Sequence, residues 1–346
     1  MIQQKFQVAF TRDYLDDDRE VAYGDIGLAR LDDLSRVEYR FLGEYHDPVS
    51  PEQIKDVDAL SLIYPHVTRE TFAEGARHLT VIGRCGAGYD RIDLKACTQA
   101  GVAVVNAPDA LRFPAASAAL MFILVLSKRL WELDQLVRRG RWDLRSDVMG
   151  FEPRGRTLGI VGLGSIGREL AELVAPMEMH VLAHDPYADP EEAKAIGVTM
   201  VALDTLLRES DFVSLHCPLT EETRGLIGAS ELAAMKPTAY LINMARGPVV
   251  DHKALIAALA DDRIAGAGLD VFFEEPLPAE DPLTEMDNVV LSPHWAAGTL
   301  DVFHDAVVSN ISGFLQVLKG DVPDHVVNTD VIDHPLFQDK LARFRR

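Results

Sequence analysis

Cysteine is scarce in this chain: Cys85, Cys97 and Cys217 are the three among 346 residues. They are scattered, odd in number and lack metal-ligand spacing, which excludes a disulfide framework and a cysteine-built metal site. A reducing, cytoplasmic setting is the expectation. Positive charge is short too, with 34 Lys and Arg against 54 Asp and Glu and a formal net charge of −20. That balance argues against nucleic acid or an anionic membrane as a partner. Long apolar runs are missing; the longest, 118–126, has nine residues and falls far short of a membrane span. The opening Met-Ile-Gln-Gln-Lys-Phe carries no apolar signal region. No low-complexity tract or short-period repeat is visible.

What is present is an alternation of short apolar strands and amphipathic helices, the pattern of parallel α/β sheets. Strands are expected at 6–10, 37–41, 59–63, 79–82 and 102–105, with helical segments between them at 69–76 and 92–99. A long helix is expected through 115–138. A second array follows, with strands at 158–161, 179–184, 200–201, 212–215, 240–243, 264–269 and 289–291. Phe303, Val307, Ile311, Phe314 and Leu318 then recur at helical spacing, and that segment is expected to return to the first domain.

The second array opens on Leu158-Gly-Ile-Val-Gly-Leu-Gly-Ser-Ile-Gly167, glycines at G-x-G-x-x-G spacing between a strand and a helix. Gly162 permits the tight turn, Gly164 lets backbone approach a pyrophosphate, and Gly167 lets the helix pack close to the strand. The helix end, with Ser165 and Ile166, offers N–H groups and positive dipole to phosphate. Asp185 ends the next strand, 18 residues past Gly167. A carboxylate there can hold ribose hydroxyls and repel a 2′-phosphate, which favours NAD over NADP. The bland readings are a Gly-rich turn without a ligand and a solvated turn aspartate.

Three later segments carry chemistry. Ala245-Arg-Gly-Pro-Val-Val-Asp251 places Arg246 beyond a strand C-terminus, where open α/β sheets bind ligands. Its guanidinium can clamp a carboxylate in two parallel bonds, though a lone Arg is ordinarily a surface ion pair. Leu269-Asp-Val-Phe-Phe-Glu-Glu-Pro276 is a strand running into an acidic turn, and Ser292-Pro-His294 puts a histidine just after a strand. A histidine beside a carboxylate is a proton-transfer pair. His180, His184, His216 and His252 show no metal-ligand spacing, and no metal is expected.

In order and spacing these motifs, with Arg84-Cys-Gly-Ala-Gly-Tyr-Asp-Arg-Ile-Asp93, resemble the D-isomer-specific 2-hydroxyacid dehydrogenases across roughly residues 55–300. The resemblance implies two doubly wound parallel-sheet domains. One is a flavodoxin-like substrate domain from 1–105 and 296–346, the other a Rossmann NAD-binding domain at 106–295. It implies Arg246, Glu275 and His294 as the catalytic arginine, glutamate and histidine. Cys217, Met244, Ala245 and Asp270 match positions lining the cofactor, Asp270 near the nicotinamide carboxamide. Gly86, Ala87 and Gly88 match the N–H cradle for the substrate carboxylate.

The implied reaction is hydride transfer between NAD(H) and a small D-2-hydroxy acid or 2-oxo acid, His294 acting as general acid or base. A homodimer formed through the 115–130 helix is expected by the same resemblance. Two other readings stand beside it: an NAD(H)-sensing interaction protein on this fold, and a phosphite- or formate-type dehydrogenase. Formate enzymes of this type carry glutamine where Glu275 stands.

This chain departs from the pattern at Arg91 and at Ser117, where asparagine and glutamate are common. Arg91 reads as a solvated helix-start charge or as an alteration of the cradle. The loop Ile63-Tyr-Pro-His-Val67 has no Lys or Arg, which disfavours 3-phosphoglycerate. Tyr64, His66 and Trp295 are candidates for contacts to the substrate's variable end, with plain packing the competing account of each. The tail after Val331 yields no functional reading.

Overall fold

A computed structural model describes residues 5–345; residues 1–4 and 346, which the sequence reading assigns to the first domain, lie outside the described residues. Among the described residues all strand pairs within the two sheets are parallel. The chain divides into two compact units, Met1–Leu111 with Gly298–Arg346, and Arg112–Ala297.

The first unit holds β1 (Phe6–Phe10), β2 (Val37–Phe41), β3 (Ala59–Leu62), β4 (Val81–Arg84) and β5 (Ala103–Val105) in the order β2-β1-β3-β4-β5. That is the flavodoxin-like order. Phe6, Val8 and Phe10 face one core and Ala9 the other, the period-two alternation of a strand between two helical layers. Helix Leu300–Leu318 covers the first core with Phe303, Val307, Ile311 and Phe314.

The second unit holds β6 (Thr157–Val161), β7 (His180–His184), β8 (Val198–Met200), β9 (Phe212–Leu215), β10 (Tyr240–Asn243), β11 (Gly266–Leu269) and β12 (Val289–Leu291). Their order, β12-β11-β10-β9-β6-β7-β8, is the Rossmann order with one strand added at the edge. Chain direction of the order reverses between β6 and β9, which pair from Leu158↔Phe212 to Val161↔Leu215. Ile160 and Phe212 pack on one face of this sheet, Val161, Val213 and Leu215 on the other. Each such fully buried side chain contributes about 1.5–3 kcal/mol.

Some local expectations are corrected. The long helix of 115–138 is two helices, Pro108–Ser127 and Leu130–Arg138. Arg129 between them takes φ +51°, which α-helix cannot continue through, and its guanidinium grips Glu132. The Ser127 carbonyl accepts instead from the Phe151 N–H at 2.8 Å. Segment 69–76 is only a 3-10 turn, Arg69–Phe72, because Thr68 caps Glu70 and the chain turns out at Gly75 with φ +85°. Strand 79–82 is displaced to Val81–Arg84, in register with Ala59–Leu62.

Counting uninterrupted apolar residues also understated one helix. Pro108–Ser127 is long and apolar enough, by length and composition, to cross a membrane. Ala116, Ala119, Phe122, Ile123 and Leu126 along it are instead core of the second unit.

The tail acquires a structural role. In helix Pro335–Ala342 the Lys340 ammonium is buried and donates to the carbonyls of Leu79 (2.8 Å), Ala100 (2.7 Å) and Gly101 (3.0 Å).

Candidate active site

Because the strands of the second sheet run parallel, their C-terminal ends form one edge, and residues far apart in sequence fall in line along it. From β12 inward the edge presents His294, then Asp270 and Glu275 after β11, Met244 to Arg246 after β10, and Cys217 after β9. Beyond the switch point come the glycine turn after β6 and Asp185 after β7. One half of the edge carries a histidine, two carboxylates and an arginine, the other a glycine-rich turn running into a helix.

The turn is built by close approach. Gly162 has φ +94°, and a Cβ there would stand 2.6 Å from the Cys217 nitrogen in the neighbouring loop. A Cβ on Gly167 would overlap the Gly162 carbonyl, so the helix sits against the turn as tightly as backbone allows. Gly164 differs: nothing lies within 4 Å of where its Cβ would be. It is the N-cap of helix Ser165–Val174 and has no side chain to cap it, so the first N–H groups, Ser165 to Gly167, have no acceptor inside the helix. Open space before free helix donors is what a dinucleotide pyrophosphate requires. The residues present therefore fit the group.

Asp185 is already a structural acceptor: Oδ2 takes the Leu163 N–H and Oδ1 the Tyr187 N–H, each at 2.8 Å. It ties the glycine turn to the end of β7, and its remaining lone pairs can still accept ribose hydroxyls. Cys217 is buried, and burial pushes its thiol up to about 11, so it is an uncharged wall rather than a nucleophile. Its neighbour His216 is partly buried with its Nδ1 inaccessible, and desolvation of the ring pulls its pKa down to about 4 and keeps it neutral. Its Nε2 lies 2.8 Å from Ser214 Oγ.

His294 and Glu275 meet: His294 Nδ1 is 2.9 Å from Glu275 Oε2. The other carboxylate oxygen accepts the Phe272 N–H at 3.1 Å, which fixes the glutamate across its own turn. With Nδ1–H donated to Glu275, Nε2 is the position left for chemistry. His294 has φ +55°, a left-handed conformation uncommon outside glycine, and His294 N–H folds back to the Ser292 carbonyl at 2.9 Å.

Asp270 holds this bend in place. It is buried, and its Oδ1 accepts the N–H groups of both Trp295 and Ala296 at 2.9 Å. Burial raises its pKa, while those N–H bonds, the Ser292 hydroxyl and the His294 charge oppose the rise. Trp295 is left about one-third exposed. Arg246 is partly buried at the end of β10 with Nη1 on the Ala245 carbonyl at 2.7 Å.

Two residues that the sequence reading left unassigned position this edge. The buried Asn243 amide accepts the Ala245 N–H (3.0 Å) and donates to the Arg246 carbonyl (3.1 Å), shaping the turn that presents Arg246. Asparagine closing a strand before a turn is the signal for it. Ser292 supports Asp270 and has no comparable local signature.

In the first unit, Tyr64, His66 and the 86–88 loop follow β3 and β4, which are neighbours, so they share that sheet's C-terminal edge. Tyr64 N–H donates to Asp13 Oδ2 at 2.7 Å. Asp13 is partly buried, and desolvation raises its pKa against the opposing hydrogen bonds from Thr11 and Tyr64. Asp47 grips His66 twice, at the backbone N–H (2.8 Å) and at Nδ1 (2.7 Å). Asn106 donates to the Ala87 carbonyl at 2.7 Å, and Gly86, with φ +143°, accepts the Ala107 N–H. Arg91 reaches the Tyr64 carbonyl at 3.4 Å, so the cation missing from 63–67 is supplied beside it. Ser117 turns its hydroxyl to the Pro114 carbonyl within its own helix. Among the described residues no group of three His, Cys, Asp or Glu side chains could hold a metal ion.

Residues 120–296 match the family model described as "D-isomer specific 2-hydroxyacid dehydrogenase, NAD binding domain". The chain is 41% identical over 313 residues to a glyoxylate reductase of Korarchaeum cryptofilum, covering 86% of this chain and 93% of the relative. It is 38% identical over 296 residues to a D-3-phosphoglycerate dehydrogenase of Methanocaldococcus jannaschii, covering 85% of this chain and 55% of that protein. Among solved structures, D-lactate dehydrogenase from Aquifex aeolicus, complexed with NAD and lactic acid, superposes with TM-score 0.78 at 29% identity. That match covers 91% of this chain and 96% of the other.

Proposed function

Because this chain belongs to the D-isomer-specific 2-hydroxyacid dehydrogenases and is an NAD-dependent oxidoreductase acting on CH–OH groups, we propose that it interconverts a small 2-oxo acid and its D-2-hydroxy acid with His294 as general acid and base. The observation that carries the proposal is the His294–Glu275 contact at 2.9 Å, on the same sheet edge as Arg246.

When bound, NAD(H) would supply or accept the hydride exchanged at the substrate's C2. Gly162 to Gly167 would hold the pyrophosphate and Asp185 the ribose, with Cys217, Met244, Ala245 and Asp270 around the cofactor. Arg246 binds the substrate carboxylate and stabilises the negative charge that builds on the C2 oxygen, where a preorganised cation is worth most. In the reductive direction His294 Nε2 donates its proton to that oxygen, and in the oxidative direction it takes the proton away. Glu275 favours the charged imidazolium and fixes which nitrogen faces the substrate. Gly86, Ala87 and Gly88 supply N–H donors to the carboxylate, and Tyr64, His66 and Trp295 meet the variable end of the acid.

We propose a homodimer as the working form, formed through the helix that follows Pro108. Phe113, Met121 and Leu124 on that helix and Leu130 and Trp131 after it are large apolar side chains left exposed. The three free, buried thiols support a cytoplasmic setting.

The test is a panel of 2-oxo acids, phosphate-bearing ones included, assayed with NADH and with NADPH for the wild-type protein and His294→Ala. Small 2-oxo acids with NADH are the expected substrates. His294→Ala should lose about a hundredfold or more of turnover while still binding NADH. A near-wild-type rate in that variant would sink the assignment.

A further inference from the structure

Glu275 and His294 stand on separate loops, so their contact depends on what holds the 270–276 turn from behind. The group found there is a second histidine–carboxylate pair. His252 Nε2 lies 2.8 Å from Asp281 Oδ2, and the two side chains are only 24% and 10% exposed. Asp281 is not free to swing, because its Oδ1 accepts the Leu283 N–H at 3.0 Å and caps the turn Pro282–Glu285. His252 is held at the other end: it is the first residue of helix His252–Ala260, whose cap Asp251 accepts the Ala254 N–H at 2.8 Å.

Pinned from both sides, the His252 ring lies against Phe273, centroids 6.2 Å apart and planes inclined by 29°. Phe273 is otherwise mostly exposed. The adjoining Phe272 N–H is the donor that orients Glu275, and the Phe272 carbonyl packs so closely on Gly247 that a Cβ there has no room. Asp281, His252, Phe273, Phe272, Glu275 and His294 are thus a continuous chain of contacts leading to the proton-transfer atom. The charged groups flanking His252 in sequence are Asp251 and Lys253, and Asp281 faces it. Those facing His294 include Glu275 and Asp270.

We propose that His252 is a positioning residue for catalysis: clamped by Asp281, it sets the turn that aims Glu275 at His294. The inference rests on the role proposed above for Glu275 and His294.

The experiment measures the pH dependence of kcat for 2-oxo acid reduction, KM for NADH and urea stability. The proteins compared are wild type, Glu275→Gln, His252→Ala, His252→Gln and Asp281→Asn. Glu275→Gln is the reference, because loss of the carboxylate must move the alkaline limb of reduction to lower pH. His252→Ala is expected to move the same limb in the same direction and to lower kcat roughly ten- to a hundredfold, the scale of a misplaced catalytic group. KM for NADH should stay within about twofold, since the cradle lies across the switch point.

His252→Gln, which can still donate to Asp281, should recover much of the limb position. If His252→Ala does not fold, Asp281→Asn carries the same expectation with the fold preserved. A limb that moves in Glu275→Gln but in none of the His252 and Asp281 variants, whatever their stability, overturns this inference alone. A limb that stays put even in Glu275→Gln overturns the proposed function and this inference with it.

Discussion

The three fingerprint glycines should respond differently to one added methyl group. At Gly167 the methyl meets backbone of the same turn, an atom that cannot yield, so Gly167→Ala should cost about 1–3 kcal/mol of stability through overpacking. At Gly164 the backbone is extended (φ −76°, ψ −160°), which alanine adopts freely, and no atom beyond its chain neighbours lies within 4 Å of the added Cβ. Losing a glycine from the unfolded chain favours the fold by about 0.4–1 kcal/mol. Replacing glycine at an N-cap costs a similar amount. Gly164→Ala should therefore leave stability within about 1 kcal/mol.

Binding is another matter. If the pyrophosphate fills the open space at Gly164, the methyl intrudes on it. One or two charge-assisted hydrogen bonds to phosphate, each about 1.5–3 kcal/mol, would be stretched or lost. NADH Kd should then rise at least about tenfold. Urea melts with NADH fluorescence titrations give both numbers. Wild-type NADH affinity in Gly164→Ala, or destabilisation equal to that of Gly167→Ala, would refute the assignment of this space to the dinucleotide.

Burial of His216 makes acid stability a second test. Its folded pKa of about 4 lies below the ordinary 6.5, so on acidification the unfolded chain takes up a proton that the folded one refuses. The stability is present above about pH 6.5 and is lost as pH falls toward about 4, on the order of 3 kcal/mol in all. His216→Gln should flatten that acid slope; an unchanged slope places the loss elsewhere. Lys340→Met keeps the buried stem but leaves three carbonyls without their donor, and should lower stability by about 2–4 kcal/mol in urea melts. A change under about 0.5 kcal/mol would mean that water replaces the ammonium without loss.

Strands were legible as short apolar runs, as at Phe6–Phe10, Phe212–Leu215 and Tyr240–Asn243, because strands of a parallel sheet are covered on both faces. Helix Leu300–Leu318 was legible to its ends because its apolar spacing runs unbroken from a Thr299 cap. The break at Arg129 was not legible, since neither glycine nor proline marks it and an ion pair to Glu132 with the Phe151 backbone decides it. The glycine motif and Asp185 stood out by residue type and spacing, whereas Arg246, Glu275 and His294 were singled out as the catalytic set by the family resemblance, which alone chose Glu275 over Glu274. Asn243 and Ser292 did not, because they act through hydrogen bonds to atoms that only the folded edge brings near.

The amino-acid sequence alone determined the class of fold, the dinucleotide cradle and the kinds of chemistry available, because periodicity, glycine spacing and residue type are local properties of a chain. Tertiary structure decided which groups meet. Parallel pairing lined up strand ends from 161 to 291 along one edge, putting His294 within 2.9 Å of Glu275 and Asp270 against the backbone that follows His294. It also turned a histidine without any motif, His252, toward the back of that turn, since long-range contacts follow from packing and not from spacing along the chain.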